Sequence, residues 1–356
     1  MNFMINFIEK IKKIKAPFFP YFKIFIDLGT SLTKIAIENK GIILRQPTYL
    51  AYDTKKEQTI FIGEEAKNIV GKTPEFIKII RPIVAGVISD FDSEVLLLKN
   101  FLQNSVELYT QYKFLKPIIE AISMVPTTAT EIEQKAVKEV LNKTDVSQTY
   151  IIEKALATAA GCGLNIFSSN PNLIIEIGGG LTEISIIGSG NIIRQKTLKF
   201  AGDHFNKIIA NYLYLKHAII LGENTCEELK INLLNFNKAE KTEIVRGKSL
   251  ETGLPKSIRI KSSEIREALL PIFNQIVDLI KELIESCPPE ILDEILKKGV
   301  IITGGSAKIE GIDYFFAKEL NLEVFTAPTP QDSAINGLIE LSKKDKKLFK
   351  NLLISI

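Results

Sequence analysis

Two short apolar runs separated by a polar, glycine-containing turn form a unit that occurs twice in this chain. In residues 24–37, Ile24, Phe25 and Ile26 precede the turn and Ile35, Ala36 and Ile37 follow it, which predicts two strands folded into a hairpin. Residues 172–187 repeat the pattern, with an Ile-rich strand on each side of three successive glycines. Residues 41–52 read as further strand, 63–70 as a short helix and 92–110 as a longer one. An apolar strand at 117–125, a helix at 127–142 with an acidic start, a strand at 149–153 and a small-residue helix at 155–163 follow. Beyond the second hairpin the pattern predicts a strand at 192–199, helices at 203–217 and 222–234, and a polar strand-like region at 243–261. An amphipathic helix capped by Ser262 then runs to 285, and a strand at 299–303 ends in a third glycine-rich turn. The lysine-rich stretch 342–350 reads as a helix end with a solvated face. This alternation of strand and helix is that of an α/β protein with mixed or parallel sheets.

The first fifteen residues differ from the rest. Phe3, Met4, Phe7, Ile8, Ile11 and Ile14 fall on one helical stripe, with Asn6, Glu9, Lys10, Lys12 and Lys13 on the other side. The run is too short and too charged for a transmembrane helix and has the wrong order of basic and apolar residues for a cleaved signal. It reads as a basic amphipathic helix lying in a membrane interface, followed by a Pro-punctuated linker at residues 16–20. Composition adds limits. Lys+Arg 45 against Asp+Glu 42 leaves a formal charge of +3, too small to argue for a nucleic-acid partner. Cys162, Cys226 and Cys287 are widely spaced, which supports neither a disulfide framework nor a zinc site and fits a reducing cytoplasm.

The turns carry the candidate chemistry. In the first, Gly29 allows close approach to an anion, Thr30, Ser31 and Thr33 offer donors, and Asp27 is a carboxylate suited to a hydrated magnesium ion. In the second, Glu176 stands where Asp27 stands in the first, followed by Gly178, Gly179, Gly180 and Thr182. Two such halves in one chain would clamp one nucleotide across a cleft. Glu227 and Lys230, three apart on one helix face, read by themselves as a surface ion pair, and Glu153 as an ordinary strand-end carboxylate.

Three turns in this order, after Asp27, Glu176 and Thr303, resemble the actin/Hsp70/sugar-kinase ATPase fold, and within it the MreB family of bacterial actin homologues. The resemblance runs from Ile24 to Leu341. It is carried by Ile26-Asp-Leu-Gly-Thr30, Arg81-Pro82, Gly86-Val-Ile-Ser-Asp-Phe91, Val125-Pro126, Ile152-Glu153 with Ala159-Ala-Gly-Cys-Gly163, Ile177-Gly-Gly-Gly180, Gly202-Asp203, Cys287-Pro-Pro-Glu290 and Thr303-Gly-Gly305. It implies two similar α/β domains with a nucleotide cleft between them. Residues 1–20 would be the anchor and linker and 21–153 the first domain, with a small subdomain at about 45–90. Residues 154–341 would be the second, with a small subdomain at about 202–262, and 342–356 a tail.

By that resemblance ATP is bound with Mg²⁺, the ion held through water by Asp27 and Glu176. Gly29, Thr30, Ser31, Lys34, Gly178, Gly179, Gly180 and Thr182 would meet the phosphates, Glu227 and Lys230 the ribose and base, and Gly304, Gly305 and Lys308 the adenine. Glu153 would orient the attacking water. The expected protein is an ATPase that polymerises into filaments on the inner face of the cell membrane, through residues 1–15 and the aromatic tip at 112–116. It would direct the cell-wall elongation machinery and so maintain rod shape. The alternative is a non-polymerising ATP-binding adaptor of a membrane-associated pilus or division complex. Four positions depart from the family pattern. Glu176 replaces the usual Asp, Leu181 the usual Thr, Glu153-Lys154-Ala155 the usual Glu-Glu-Pro, and Lys34 matches a phosphate-contacting lysine of actin itself. Slow hydrolysis is the expectation.

Overall fold

A computed structural model describes residues 20–110, 117–237 and 239–354. The expected interfacial helix at 1–15 and the tip at 112–116 lie outside the described residues. Strand Tyr21–Leu28 pairs antiparallel with Leu32–Ile37, which pairs antiparallel with Gly41–Pro47, and on its other side Tyr21–Leu28 runs parallel to Ile118–Val125. Gln148–Glu153 completes this five-stranded sheet in parallel. The second half repeats the plan strand for strand. Asn172–Ile177, Thr182–Gly188 and Asn191–Leu198 form the antiparallel meander, and Val300–Thr303 and Val324–Thr326 add in parallel. The strands next to both turns are buried where they approach the turns, from Ile24 onward in the first and along nearly all of the other three, which fits their Ile-rich sequences.

Each half carries a smaller sheet. In the first it comprises Leu50–Asp53, Gln58–Ile62 and Ile77–Ile80, and in the second Ile219–Ile220, Thr242–Ser249 and Pro255–Lys261. The stretch expected as one strand at 41–52 is therefore two, in different sheets. Pro47 lacks an N–H for the ladder, and the chain turns there out of the large sheet.

Two helices from distant parts of the sequence, Lys154–Gly161 and Ser333–Ser342, pack together between the two large sheets. Their residues Leu156, Ala159, Ile335 and Leu338 share one core with Phe25 and Met124 of the first sheet and Ile174 and Ile187 of the second. Backbone approaches backbone at the crossing: a Cβ at Gly161 would lie 1.8 Å from the Ser333 carbonyl oxygen, and one at Gly337 1.7 Å from that of Ala157. A further core in the second half is built on helix Ser262–Glu285, where Phe273 meets Phe205, Phe236, Phe315 and Phe316.

Some helix ends fall differently from the sequence pattern. The helix expected from 127 begins at Glu131, because Thr130 and Glu133 form a capping box: the Glu133 amide donates to Thr130 Oγ1 and the Thr130 amide to the Glu133 carboxylate. Ser262 is the first residue of its helix rather than its cap, and its hydroxyl bonds the backbone of Lys241. The lysine-rich tail is more than a solvated face. Helix Lys346–Leu352 folds back on the first half, Leu352 is buried, and the Ile354 amide donates to the Ile151 carbonyl at 2.9 Å. No helix among the described residues is long and apolar enough to cross a membrane.

Candidate nucleotide cleft

A cavity of about 490 Å³ opens where the three glycine-rich turns converge, within the range of small-molecule sites. It is lined by Asp27, Gly29, Thr30, Ser31 and Lys34 from the first hairpin and Glu176, Gly178, Gly179 and Gly180 from the second. Gly304, Gly305 and Lys308 come from the third turn, and Glu227 and Lys230 from helix Glu223–Leu233. These residues, widely spaced in sequence, are thus brought into one place. Two others expected there are not among its walls. Thr182 is fully buried and donates its hydroxyl to the Phe200 carbonyl at 2.7 Å, and Glu153 ends its strand outside the lining. Burial raises the Glu153 carboxyl above its ordinary pKa.

The first two turns meet each other. A Cβ at Gly179 would lie 1.9 Å from Ser31 Oγ, and one at Gly180 2.5 Å from Thr30 Oγ1, so a side chain at either position would have to displace those of the opposite turn. Thr30 Oγ1 in turn accepts from the Gly86 amide at 2.9 Å. Gly86 and Ala85, both at positive φ, form the tip of a small hairpin between Ile83–Val84 and Val87–Ile88, which docks on the turns and against Leu181.

Ion pairs tie the two halves across the opening. Arg81 reaches Asp203 through Nη2 and Glu223 through Nη1, the latter at 3.1 Å. Lys67 lies 3.3 Å from Glu227, and the Asn224 amide donates to the Lys67 carbonyl at 3.2 Å. On the far side Arg45 pairs with Asp332 at 2.8 Å. Lys230 donates to the Gly202 carbonyl at 2.9 Å, and burial lowers its pKa.

At the base of the cavity, register decides the chemistry. Asp27 faces Lys34 across the first hairpin, and their side chains pair at 3.1 Å. Burial pushes the Asp27 carboxyl up, but the Lys34 and Lys154 ammoniums outweigh it and hold its pKa below the usual range. At the same register of the second hairpin Glu176 faces Glu183. Glu176 takes Lys154 at 2.5 Å on one oxygen and the Thr158 hydroxyl at 2.7 Å on the other. Glu183 accepts from the Thr127 amide at 3.3 Å, and burial raises its pKa although Lys154 opposes the shift. Both carboxylates expected to flank a metal are therefore already engaged by ammoniums. No group of three or more His, Cys, Asp or Glu side chains among the described residues is placed to hold a metal ion. This donor set does not fit a cation held between Asp27 and Glu176.

Lys154, Glu183 and Lys67 line the cavity and were given no role by sequence reasoning. Glu183 was within reach of it: counting back from the turn at equal strand length places it opposite Glu176, as Lys34 is opposite Asp27.

Two domains of one topology, locked around a cleft by facing glycine-rich turns, make this an actin-like protein. The chain belongs to the MreB/Mbl family, whose model, MreB/Mbl protein, matches residues 21–350. It is 38% identical to the cell shape-determining protein Mbl of Bacillus subtilis (strain 168) over 324 residues, 90% of this chain and 96% of that protein. To the cell shape-determining protein MreB of Escherichia coli (strain K12) it is 30% identical over 318 residues, 88% of this chain and 90% of that protein. Among solved structures, MreB5 of Spiroplasma citri bound to ADP superposes with a TM-score of 0.86 at 32% identity, covering 93% of this chain and 98% of that one. The same protein bound to AMPPNP gives 0.86 at 33% identity.

Proposed function

We propose that this chain binds and hydrolyses ATP in the cleft and polymerises into filaments on the inner face of the cytoplasmic membrane, where it directs the cell-wall elongation machinery and maintains cell shape. The observation that carries the nucleotide reading is the meeting of two glycine-rich turns over one cavity, in a fold whose Spiroplasma relative is seen with ADP and with AMPPNP. Membership of a family whose relatives are named cell shape-determining supports the role in shape. ATP spanning both turns would favour the closed domain arrangement, and product release would relax it, because a ligand shifts such an equilibrium by its difference in affinity for the two states. Gly29, Thr30 and Gly178 to Gly180 would meet the phosphates, Glu227 and Lys230 the ribose and base, and Gly304, Gly305 and Lys308 the adenine. Glu153 would orient water.

Sedimentation and electron microscopy with ATP on anionic liposomes test this reading. Filaments bound to lipid are expected, and deletion of residues 1–15 should leave filaments that no longer bind lipid. Absence of filaments in every nucleotide state would overturn the cytoskeletal reading in favour of a non-polymerising adaptor.

A further inference from the structure

The second hairpin poses an electrostatic problem that the first does not. Asp27 has a lysine as its cross-strand neighbour, whereas Glu176 has Glu183, and both of these glutamates are almost fully buried. Like charges on facing strand positions repel, the more so away from water. Neither hairpin supplies the compensating charge. It comes from Lys154, the first residue of helix Lys154–Gly161, whose ammonium lies 2.5 Å from Glu176. A cation at that end of a helix opposes the helix dipole, so the helix gains nothing from it. What it does serve is the cleft. Asp27, Glu176 and Glu183 line the same cavity as this ammonium, with Glu176 in direct contact. The two turns line that cavity as well.

We propose that the Lys154 ammonium is a fixed cation of the cleft, taking the electrostatic place of a divalent metal between Asp27 and Glu176, so that a nucleoside triphosphate binds here without one. This rests on the reading of the cleft as a nucleotide site. Lys34 is its counterpart on the first hairpin, paired with Asp27. Together the two ammoniums bring two positive charges to the base of the cavity, as many as one divalent ion, with three donors on each. Unlike a metal, they cannot be removed by a chelator.

The test is ATP binding by the full chain, measured calorimetrically in magnesium and again in EDTA. The two dissociation constants are expected to agree within about threefold, less than the tenfold that 1.4 kcal/mol represents. Lys154→Glu, which puts a carboxylate where the ammonium stands, should restore metal dependence, with binding at least about tenfold weaker in EDTA than in magnesium. Manganese titrated into the wild-type ATP complex should give the paramagnetic resonance spectrum of Mn²⁺–ATP in solution, without a protein-broadened signal. Wild-type binding that falls about tenfold or more in EDTA would overturn the inference alone. Failure to bind ATP in either condition would overturn the nucleotide reading and this inference with it. The wild-type comparison needs no variant, so it decides the matter even if Lys154→Glu does not fold.

Discussion

Gly161 and Gly337 meet backbone to backbone: a Cβ on Gly337 would lie 2.5 Å from the Gly161 nitrogen, and one on Gly161 2.8 Å from the Gly337 nitrogen. The obstacle is main chain on both sides, so no side chain can swing away to make room. Gly337→Ala should force the two central helices apart and destabilise the fold by about 3 kcal/mol, the upper end for overpacking. Thermal unfolding checks this. Gly222→Ala is the control, since its Cβ meets nothing within 4 Å and its φ is −74°. That substitution, at an exposed helix N-cap, should cost no more than about 1 kcal/mol.

Glu94 is fully buried on helix Phe91–Ser105, and neither carboxylate oxygen has a hydrogen-bond partner. Burial alone pushes its pKa up to about 8. The folded pKa thus lies above the unfolded one, near 4.5. Between those values the unfolded state has released the proton that the folded state retains, so stability falls as pH rises through the window. Glu94→Gln should remove this fall, and the variant should gain on wild type steadily from pH 5 to pH 8, at up to ~1.4 kcal/mol per pH unit. Urea unfolding midpoints at several pH values read the difference. Parallel pH profiles for the two proteins would remove Glu94 as the cause.

Arg81 ties the two halves across the opening by holding Asp203 and Glu223 at once, and its guanidinium lies 5.0 Å from the Tyr49 ring centroid. Arg81→Ala should loosen the closed arrangement and speed nucleotide dissociation by roughly tenfold, about 1.4 kcal/mol. Stopped-flow release of a fluorescent ADP analogue measures it. A rate equal to that of wild type would show that the turns alone keep the cleft shut.

Glu153→Ala is expected to leave ATP affinity within about twofold and to slow phosphate release by about a hundredfold, the lower end for loss of a positioned acid or base. Single-turnover phosphate release with a coupled sensor separates binding from chemistry. Unchanged turnover would take Glu153 out of the reaction and direct attention to Glu183, which lines the cavity where Glu153 does not.

The duplicated architecture was legible because each hairpin sets a buried Ile-rich strand before a glycine-containing turn, and the combination repeats at residues 24–37 and 172–187. The turn residues were legible for a related reason. Glycine between such runs marks a close approach, although at Gly179 and Gly180 the approaching group proves to be the opposite turn. Lys154 carried no such signal. Its partner Glu176 lies on one sheet and Asp27, which lines the same cavity, on the other, and only the packing of a helix between those sheets brings a lysine to that cavity. The start of the helix at Glu131 and the break at Pro47 were present in the letters as a capping box and an imino acid. In both cases the hydrophobic period ran through the boundary and hid it.

The last residues of the chain have a consequence for how copies of this protein can associate. Strand Gln148–Glu153 is an outer strand of its sheet, and an outer strand with free backbone groups invites pairing with another chain. Here Leu353 bridges to Ile152 and the Ile354 amide occupies the Ile151 carbonyl, so part of that border is already satisfied from within. If copies assemble as proposed, contacts at Ile151 and Ile152 would be made by side chains, which can be released and remade, rather than by strand addition, which would fuse neighbouring sheets. A bulky label attached at Ile354 would sit beside this border, where the chain runs antiparallel to the strand. A label inserted in the exposed turn around Thr252 and Gly253, in the small lobe of the second domain, would avoid it.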